Sequence, residues 1–248
     1  MLGIIGSGNL GGALARGLGE PVLVCDAVPE RARALAEAVG GEAVADNAEL
    51  ARRAEVVVLC HKPGDLEAVA AQTGGHAEGV LSCLGATSVA QLRAAYRGVP
   101  VVRAMPNTAL EVGEAVVALA EPEPADAELH ARAVALFERV GTAVVLPEAL
   151  MPLAQASSGG MPAYVSLVAE AQIDALVRRG LTAEVASALV VGSIPGAARL
   201  IARRGMDTLG VRRAVTSPGG TTARGLAALE RGGVRAALAA AVDEAVGA

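Results

Sequence analysis

The sequence predicts an α/β chain of two domains, a mostly parallel sheet first and an all-α domain after it. Three observations carry that expectation. From Met1 to about Pro147, short apolar runs alternate with amphipathic stretches. The first run leads straight into a G-x-G-x-x-G loop that opens a helix. After Pro147 the strand signals stop and helical periodicity takes over. Strand–helix alternation with β-branched runs implies a parallel sheet covered on both faces, here a Rossmann-like domain.

In chain order the expected strands are LGIIG, PVLVCD, EVVVLC, GVLSCL and VPVVRA. The expected helices between them are Asn9 to Gly19, Pro29 to Val39, Asp46 to Arg53, Gly64 to Gln72 and Ser88 to Tyr96. Two of these open with a capping pair, Asp46 with Glu49 and Ser88 with Gln91, whose side chains satisfy free N–H groups of a first turn. A further strand–helix–strand unit follows: EAVVALA, then Ala125 to Arg139, then GTAVVLP. The boundary is expected at Pro147 to Leu150, giving domains 1–149 and 150–248. In the second, helices are expected at Ala163 to Arg179, Ala183 to Arg204 and Thr222 to Val246, the last broken at Gly232–Gly233. Pro195 is expected to kink or split the middle one. These Ala- and Val-rich helices read as apolar around much of their circumference, so they are expected to bury against a second subunit.

The 248 residues are 53% hydrophobic with a formal net charge of -5 and 1% aromatic residues, which argues against disorder and against a nucleic-acid surface. Gly, Pro or charge interrupts the apolar runs before membrane-spanning length, so no membrane is expected. The first strand begins almost at Met1, with no charged leader before it, so the expected compartment is the cytoplasm. Cys25, Cys60 and Cys83 each lie in or at the end of an apolar run and read as reduced core thiols. His61, His76 and His130 show no ligand spacing, and no metal is expected. Basic charge is carried by 20 arginines and one lysine, Lys62.

Gly6, Gly8 and Gly11 provide a tight turn, close approach of backbone to a pyrophosphate, and close helix–strand packing. Gly6, Ser7, Gly8, Asn9, Leu10 and Gly11 are the expected dinucleotide loop. Asp26 closes the second strand 20 residues after Gly6, where a carboxylate accepts ribose hydroxyls and repels a 2′-phosphate. That favours NADH slightly over NADPH, with Arg31 and Arg33 one turn on as the opposing signal. Two further strand ends face the same crevice: Lys62 and Pro63 in CHKPGD, with His61 a weaker candidate proton donor, and Met105, Pro106 and Asn107 in RAMPNT. Far downstream, VTSPGGTT (Val215 to Thr222) precedes a helix and offers bare backbone N–H groups to an anion.

Taken together, GSGNLG, CHKP, RAMPNT, PAYVSLVAEA and VTSPGGTTARGLAALERGG occur in an order that resembles pyrroline-5-carboxylate reductase, over nearly the whole chain. The resemblance implies NAD(P)H-dependent hydride transfer to the cyclic imine of 1-pyrroline-5-carboxylate, giving L-proline. It implies that Ser217, Pro218, Gly219, Gly220 and Thr221 hold the substrate carboxylate and that Thr222 hydrogen-bonds the imine nitrogen. It also implies a homodimer with interleaved helical domains, or a larger homo-oligomer. The chain departs from the family pattern at three places. SSGGMPAY stands for S-G-S-G-P-A-Y, HKPG for V-K-P-Q, and MPNTA for M-P-N-T-P. The residues leave three alternatives to weigh: a diverged imine reductase, a β-hydroxyacid dehydrogenase of similar architecture, and a non-catalytic dinucleotide sensor. Against the second, no lysine follows Lys62. Beside the imine role of Thr222 stands that of a plain helix N-cap, and the two are compatible.

Overall fold

The computed structural model describes residues 1–73 and 75–247. Its first compact unit, Met1–Pro162, is built on an eight-stranded sheet in the order β3-β2-β1-β4-β5-β6-β7-β8. The strands are β1 (Leu2–Ile5), β2 (Leu23–Cys25), β3 (Glu42–Ala43), β4 (Val56–Leu59), β5 (Val80–Ser82), β6 (Val101–Met105), β7 (Ala115–Ala120) and β8 (Gly141–Leu146). Helices α1 (Asn9–Leu18), α2 (Pro29–Val39), α3 (Asn47–Arg53), α4 (Leu66–Thr73), α5 (Val89–Ala95) and α6 (Ala127–Glu138) connect them.

Alternation along each strand sorts the core onto two faces. Ile4, Val24, Val58, Leu81 and Val102 pack in one cluster with Leu14, Leu35 and Phe137 from helices α1, α2 and α6. Their neighbours Ile5, Leu23, Val57, Val80 and Val101 pack in the other with Leu50, Leu92 and Tyr96. Burial on both sides is why these strands read as unbroken apolar runs. Tyr96 is buried yet satisfied: its hydroxyl pairs with Thr73 Oγ1 at 3.0 Å, and that hydroxyl donates to the Val69 carbonyl at 2.9 Å.

The sheet is not parallel throughout, because β7 runs antiparallel to β6. The segment joining them, residues 106–114, is too short for a crossover helix and instead forms a 3₁₀ turn at Thr108–Val112. The expected β7–α6–β8 unit then restores a parallel pair. Nor is cover complete on both faces, since Val144 and Val145 of β8 are exposed. Both capping expectations hold for the first arm. Ser88 and Gln91 form the reciprocal box, whereas Asp46 accepts the Glu49 N–H at 2.7 Å and Glu49 reaches the Ala45 N–H, one residue earlier than expected.

Beyond β8 the first unit continues through α7 (Met151–Ala154) and a π-helical turn (Gln155–Gly159). Fully buried Met151 packs with Met105, Ala118 and Ala120, which is why this unit runs past the expected boundary at residues 147–150 to Pro162.

The second unit, Ala163–Ala248, contains most of α8 (Met161–Val177), then α9 (Ala183–Arg203), α10 (Thr208–Ala214), α11 (Thr221–Arg231) and α12 (Val234–Val246). Pro195 does not split α9: the helix is continuous over 21 residues, and Pro195 simply brings no N–H for the Val191 carbonyl. Gly192 and Pro195 lie inside α9 without ending it, and over an 18-residue window the helix has a mean hydropathy of 1.6, long and apolar enough to cross a membrane by length and composition alone. Leu167 and Val168 of α8, Leu189 and Val191 of α9, and Leu238 of α12 are exposed in the single chain.

Candidate active site

The loop after β1 is held from both sides. Gly6 N–H donates to the Cys25 carbonyl at the end of β2, and Cys60 N–H, just past β4, donates to Ile5 (2.8 Å each). Gly6 has φ +101°, and a Cβ there would lie 2.6 Å from the Cys60 carbonyl carbon. A Cβ on Gly11 would lie 2.0 Å from the Gly6 carbonyl oxygen. Gly8 differs: a Cβ on it would meet nothing within 4 Å, so its backbone faces open space. Gly8 is also the N-cap of α1, with no side-chain cap and no acid in the first turn. The first N–H groups of α1 therefore lack a side-chain acceptor and present partial positive charge to an incoming anion. A dinucleotide pyrophosphate fits this cradle.

Asp26 stands beside the loop and is bound to it. Its Oδ2 accepts the Ser7 N–H at 2.7 Å and the Ser7 hydroxyl at 2.8 Å, and its Oδ1 accepts the Val28 N–H at 2.8 Å. Burial pushes the carboxyl pKa up, but the Val28 and Ser7 bonds and the charge of Arg31 outweigh it and hold the group below its ordinary range. Arg33 is paired with Glu30 at 2.6 Å, and Arg31 is exposed.

At the β4 end, Lys62 and Pro63 are exposed. His61 Nδ1 lies 2.8 Å from the Lys62 carbonyl, which assigns the proton to Nδ1, and its buried Nε2 has no protein partner. Burial lowers the His61 pKa against the smaller opposing effects of that carbonyl and Asp65, so the ring is neutral at pH 7 and does not fit an imidazolium proton donor. Beyond β4, half-buried Cys60 packs against Gly11, and buried Cys83, just past β5, is its neighbour. Cys25 is likewise a buried free thiol.

Met105, Pro106 and Asn107 are buried at the β6 end. The Asn107 side chain is largely occupied: Oδ1 accepts from Ala109 N–H at 2.9 Å and Nδ2 donates to the Ser158 carbonyl at 2.6 Å. It ties the β6 end to the π-helical turn, which overlaps the departing SSGGM segment at Ser157 to Gly159. Ser157 and Ser158 bond back to carbonyls one turn earlier, and Met161 is exposed.

In the second unit, Ser217 to Gly220 form a tight turn closed by Gly220 N–H donating to the Ser217 carbonyl at 3.0 Å. Pro218 sets the second position, and Gly219, at φ +69°, supplies the left-handed third, the pattern of a type II turn. Gly220 is then the N-cap of α11 without a side-chain hydrogen bond, and the helix starts at Thr221. Thr222 is therefore inside the first turn and is not the N-cap, which removes the plain capping role. The N–H groups of Thr221, Thr222 and Ala223 open the helix without a side-chain cap, an arrangement able to hold an anion, and Thr222 is exposed beside them.

Sequence reasoning named Ser7 but missed its contact with Asp26, and it missed Arg224 altogether. The Ser7 hydroxyl bond to Asp26 has no sequence pattern of its own, although the meeting of β1 and β2 ends in this fold places the two side by side. Arg224 folds back so that Nη1 donates to the Gly219 carbonyl at 2.7 Å, bracing the turn. A basic residue one helical turn after the N-cap was the available signal.

Residues 148–248 match a family model described as pyrroline-5-carboxylate reductase dimerisation, and residues 1–85 match one described as NADP oxidoreductase coenzyme F420-dependent. The chain is 38% identical to pyrroline-5-carboxylate reductase of Mycobacterium tuberculosis, over 98% of this chain and 94% of the relative. It is 39% identical to that of Thermus thermophilus, over 98% and 93%. Among solved structures, pyrroline carboxylate reductase of Plasmodium falciparum with NADP bound superposes with a TM-score of 0.88 at 27% identity, covering 99% of this chain and 95% of the other. With relatives more than 30% identical matched almost end to end, the chain belongs to the pyrroline-5-carboxylate reductase family.

Proposed function

We propose that this chain reduces 1-pyrroline-5-carboxylate to L-proline, with Gly6 to Gly11 holding the dinucleotide and Ser217 to Thr222 holding the substrate. The observation that carries this reading is the second cradle. A turn and helix start without a side-chain acceptor suit a carboxylate, and the Thr222 hydroxyl beside them suits the imine nitrogen. When bound, reduced NAD(P)H supplies the hydride that adds to the C=N carbon. The backbone N–H groups of Thr221, Thr222 and Ala223 donate to the substrate carboxylate. Arg224 keeps the turn in place by holding the Gly219 carbonyl. The Thr222 hydroxyl fixes the face of the ring by bonding its nitrogen. If the imine enters protonated, the amine leaves neutral and no proton relay is needed, which suits a site where His61 is neutral and Lys62 exposed. Catalysis then rests on positioning, an effect worth several kcal/mol (up to roughly 7–11).

Lys62, Pro63, Met105, Pro106 and Asn107 complete the dinucleotide side of this proposal, Asn107 through its backbone and its one unused amide N–H. We place the enzyme in the cytoplasm as a homodimer or larger homo-oligomer. Support comes from the dimerisation family match and from an apolar groove of about 540 Å³ along α8 and α9, lined by Leu176, Leu189, Val190 and Ile194. A second copy accounts for the long apolar α9.

The test is oxidation of NADH and of NADPH with pyrroline-5-carboxylate, repeated for Thr222→Ala and with a β-hydroxyacid in reverse. Turnover of pyrroline-5-carboxylate, with kcat reduced far more than dinucleotide affinity in Thr222→Ala, is the expected result. Equal activity of variant and parent removes Thr222 from the imine. Tight dinucleotide binding without turnover of any substrate makes the chain a sensor.

A further inference from the structure

Asp26 occupies the position of a residue that reads the adenosine ribose, yet its surroundings give it other work. An ionised carboxylate has about four acceptor directions. Three are taken, by Ser7 N–H, the Ser7 hydroxyl and Val28 N–H. Accepting both ribose hydroxyls would require breaking one of these. Ser7 lies between the first two glycines of the loop. Among the described residues, the two bonds from Ser7 to Asp26 are the side-chain hydrogen bonds that any residue of the segment Gly6 to Gly11 makes. The next residue, Gly8, starts α1 without a cap of its own. Besides the backbone bond from Gly6 N–H to the Cys25 carbonyl, the loop is thus fastened by side-chain bonds at one point, through a charged acceptor from the neighbouring strand end.

We propose that Asp26 is the clamp of the dinucleotide loop, a positioning residue that acts through Ser7 and sets the affinity for NADH and NADPH together. This rests on the reading that Gly6 to Gly11 hold the dinucleotide. A ribose reader and a clamp make opposite predictions. Loss of a reader weakens NADH and relieves the repulsion felt by a 2′-phosphate, shifting preference toward NADPH. Loss of a clamp frees Ser7 and disorders the cradle that both dinucleotides share. Arg31, which acts electrostatically on Asp26, already offsets part of the charge that a 2′-phosphate would meet.

The experiment compares the full chain with Asp26→Asn and with the milder Ser7→Ala, which keeps the backbone bond. NADH and NADPH binding are followed by dinucleotide fluorescence, the KM of each dinucleotide by steady-state kinetics, and amide hydrogen exchange without dinucleotide by mass spectrometry. In Asp26→Asn both dinucleotides should bind about tenfold more weakly or worse, the size expected for losing charge-assisted hydrogen bonds. Their ratio should change less than about threefold, KM should rise by more than kcat falls, and exchange should increase at residues 6–11. Ser7→Ala should show the same pattern at smaller size. A variant that loses NADH but gains NADPH, or whose exchange at 6–11 matches the parent, overturns the clamp. If the parent binds neither dinucleotide, the reading of the loop fails, and the exchange arm still decides whether Asp26 orders it.

Discussion

Replacing Gly8 by Ala separates the loop's function from its folding. Gly8 has φ -69° and ψ -163°, which alanine adopts, and its added methyl would meet no heavy atom within 4 Å. Alanine is a poorer N-cap than glycine by about 0.5–1 kcal/mol, and lower unfolded-chain entropy returns about 0.4–1 kcal/mol. Net stability should change by less than about 1 kcal/mol, a shift in Tm under about 4 °C for a chain of this size. Binding should collapse, because the methyl stands where the pyrophosphate must approach the N–H groups of α1. Losing two charge-assisted hydrogen bonds at about 1.5–3 kcal/mol each weakens affinity at least about 100-fold. Gly11→Ala is the contrast: its methyl meets the Gly6 carbonyl oxygen at 2.0 Å, so backbone must move. That should cost about 3 kcal/mol and lower Tm by roughly 6–12 °C. Thermal melts at fixed protein concentration and NADPH fluorescence titration check both variants. Gly8→Ala binding within about threefold of the parent would refute the assignment of the pyrophosphate to this loop.

Other parts of the structure carry their own expectations. Gly219→Val, which forces a β-branched residue to φ +69°, should abolish binding of pyrroline-5-carboxylate while leaving NADPH titration intact; loss of both would make the turn's role structural. Asp126→Ala strips the acceptor from the Val101 N–H (3.0 Å) and from Arg93, and should lower stability by about 3 kcal/mol in denaturant unfolding. Tyr96→Phe loses one buried bond but leaves Thr73 bonded to Val69, so about 1 kcal/mol is expected. His61 has a folded pKa below its ordinary 6.5, so the unfolded chain binds its proton first and stability falls as pH drops below 6.5. His61→Val should therefore flatten the Tm-against-pH curve between 6.5 and the folded pKa; an unchanged slope would contradict a buried neutral ring.

Much of the first unit was legible because its physics is local. Val57 and Val58 announce a strand buried on both faces, and Ser88 with Gln91 announces a helix start. β3 was not legible: Glu42–Ala43 has no apolar run, and pairing with β2 alone makes it a strand. The reversal at β7 was readable in principle from the short 106–114 link, but strand runs carry no direction. Helix α10 (Thr208–Ala214) escaped notice although Asp207 caps it through the Gly210 N–H, because seven residues show little periodicity. In the candidate site, the glycines and the SPGGTT turn were readable from residue type: φ or space dictates glycine at Gly6, Gly11, Gly219 and Gly220, whereas Gly8 leaves its backbone open. The Thr222 N-cap alternative failed by two residues, as Gly220 takes that place. The bonds from Ser7 to Asp26 and from Asn107 to Ser158 join residues distant in sequence, and only the assembled strand ends bring them together.

The central claim, two anion cradles with two different ligands, is tested most directly by a crystal structure with NADP and L-proline both bound. The account predicts the pyrophosphate on the N–H groups after Gly8, the proline carboxylate on those of Thr221 to Ala223, and the Thr222 hydroxyl within hydrogen-bond distance of the ring nitrogen. Proline bound elsewhere, or NADP phosphate seated on Ser217 to Thr222, would contradict it.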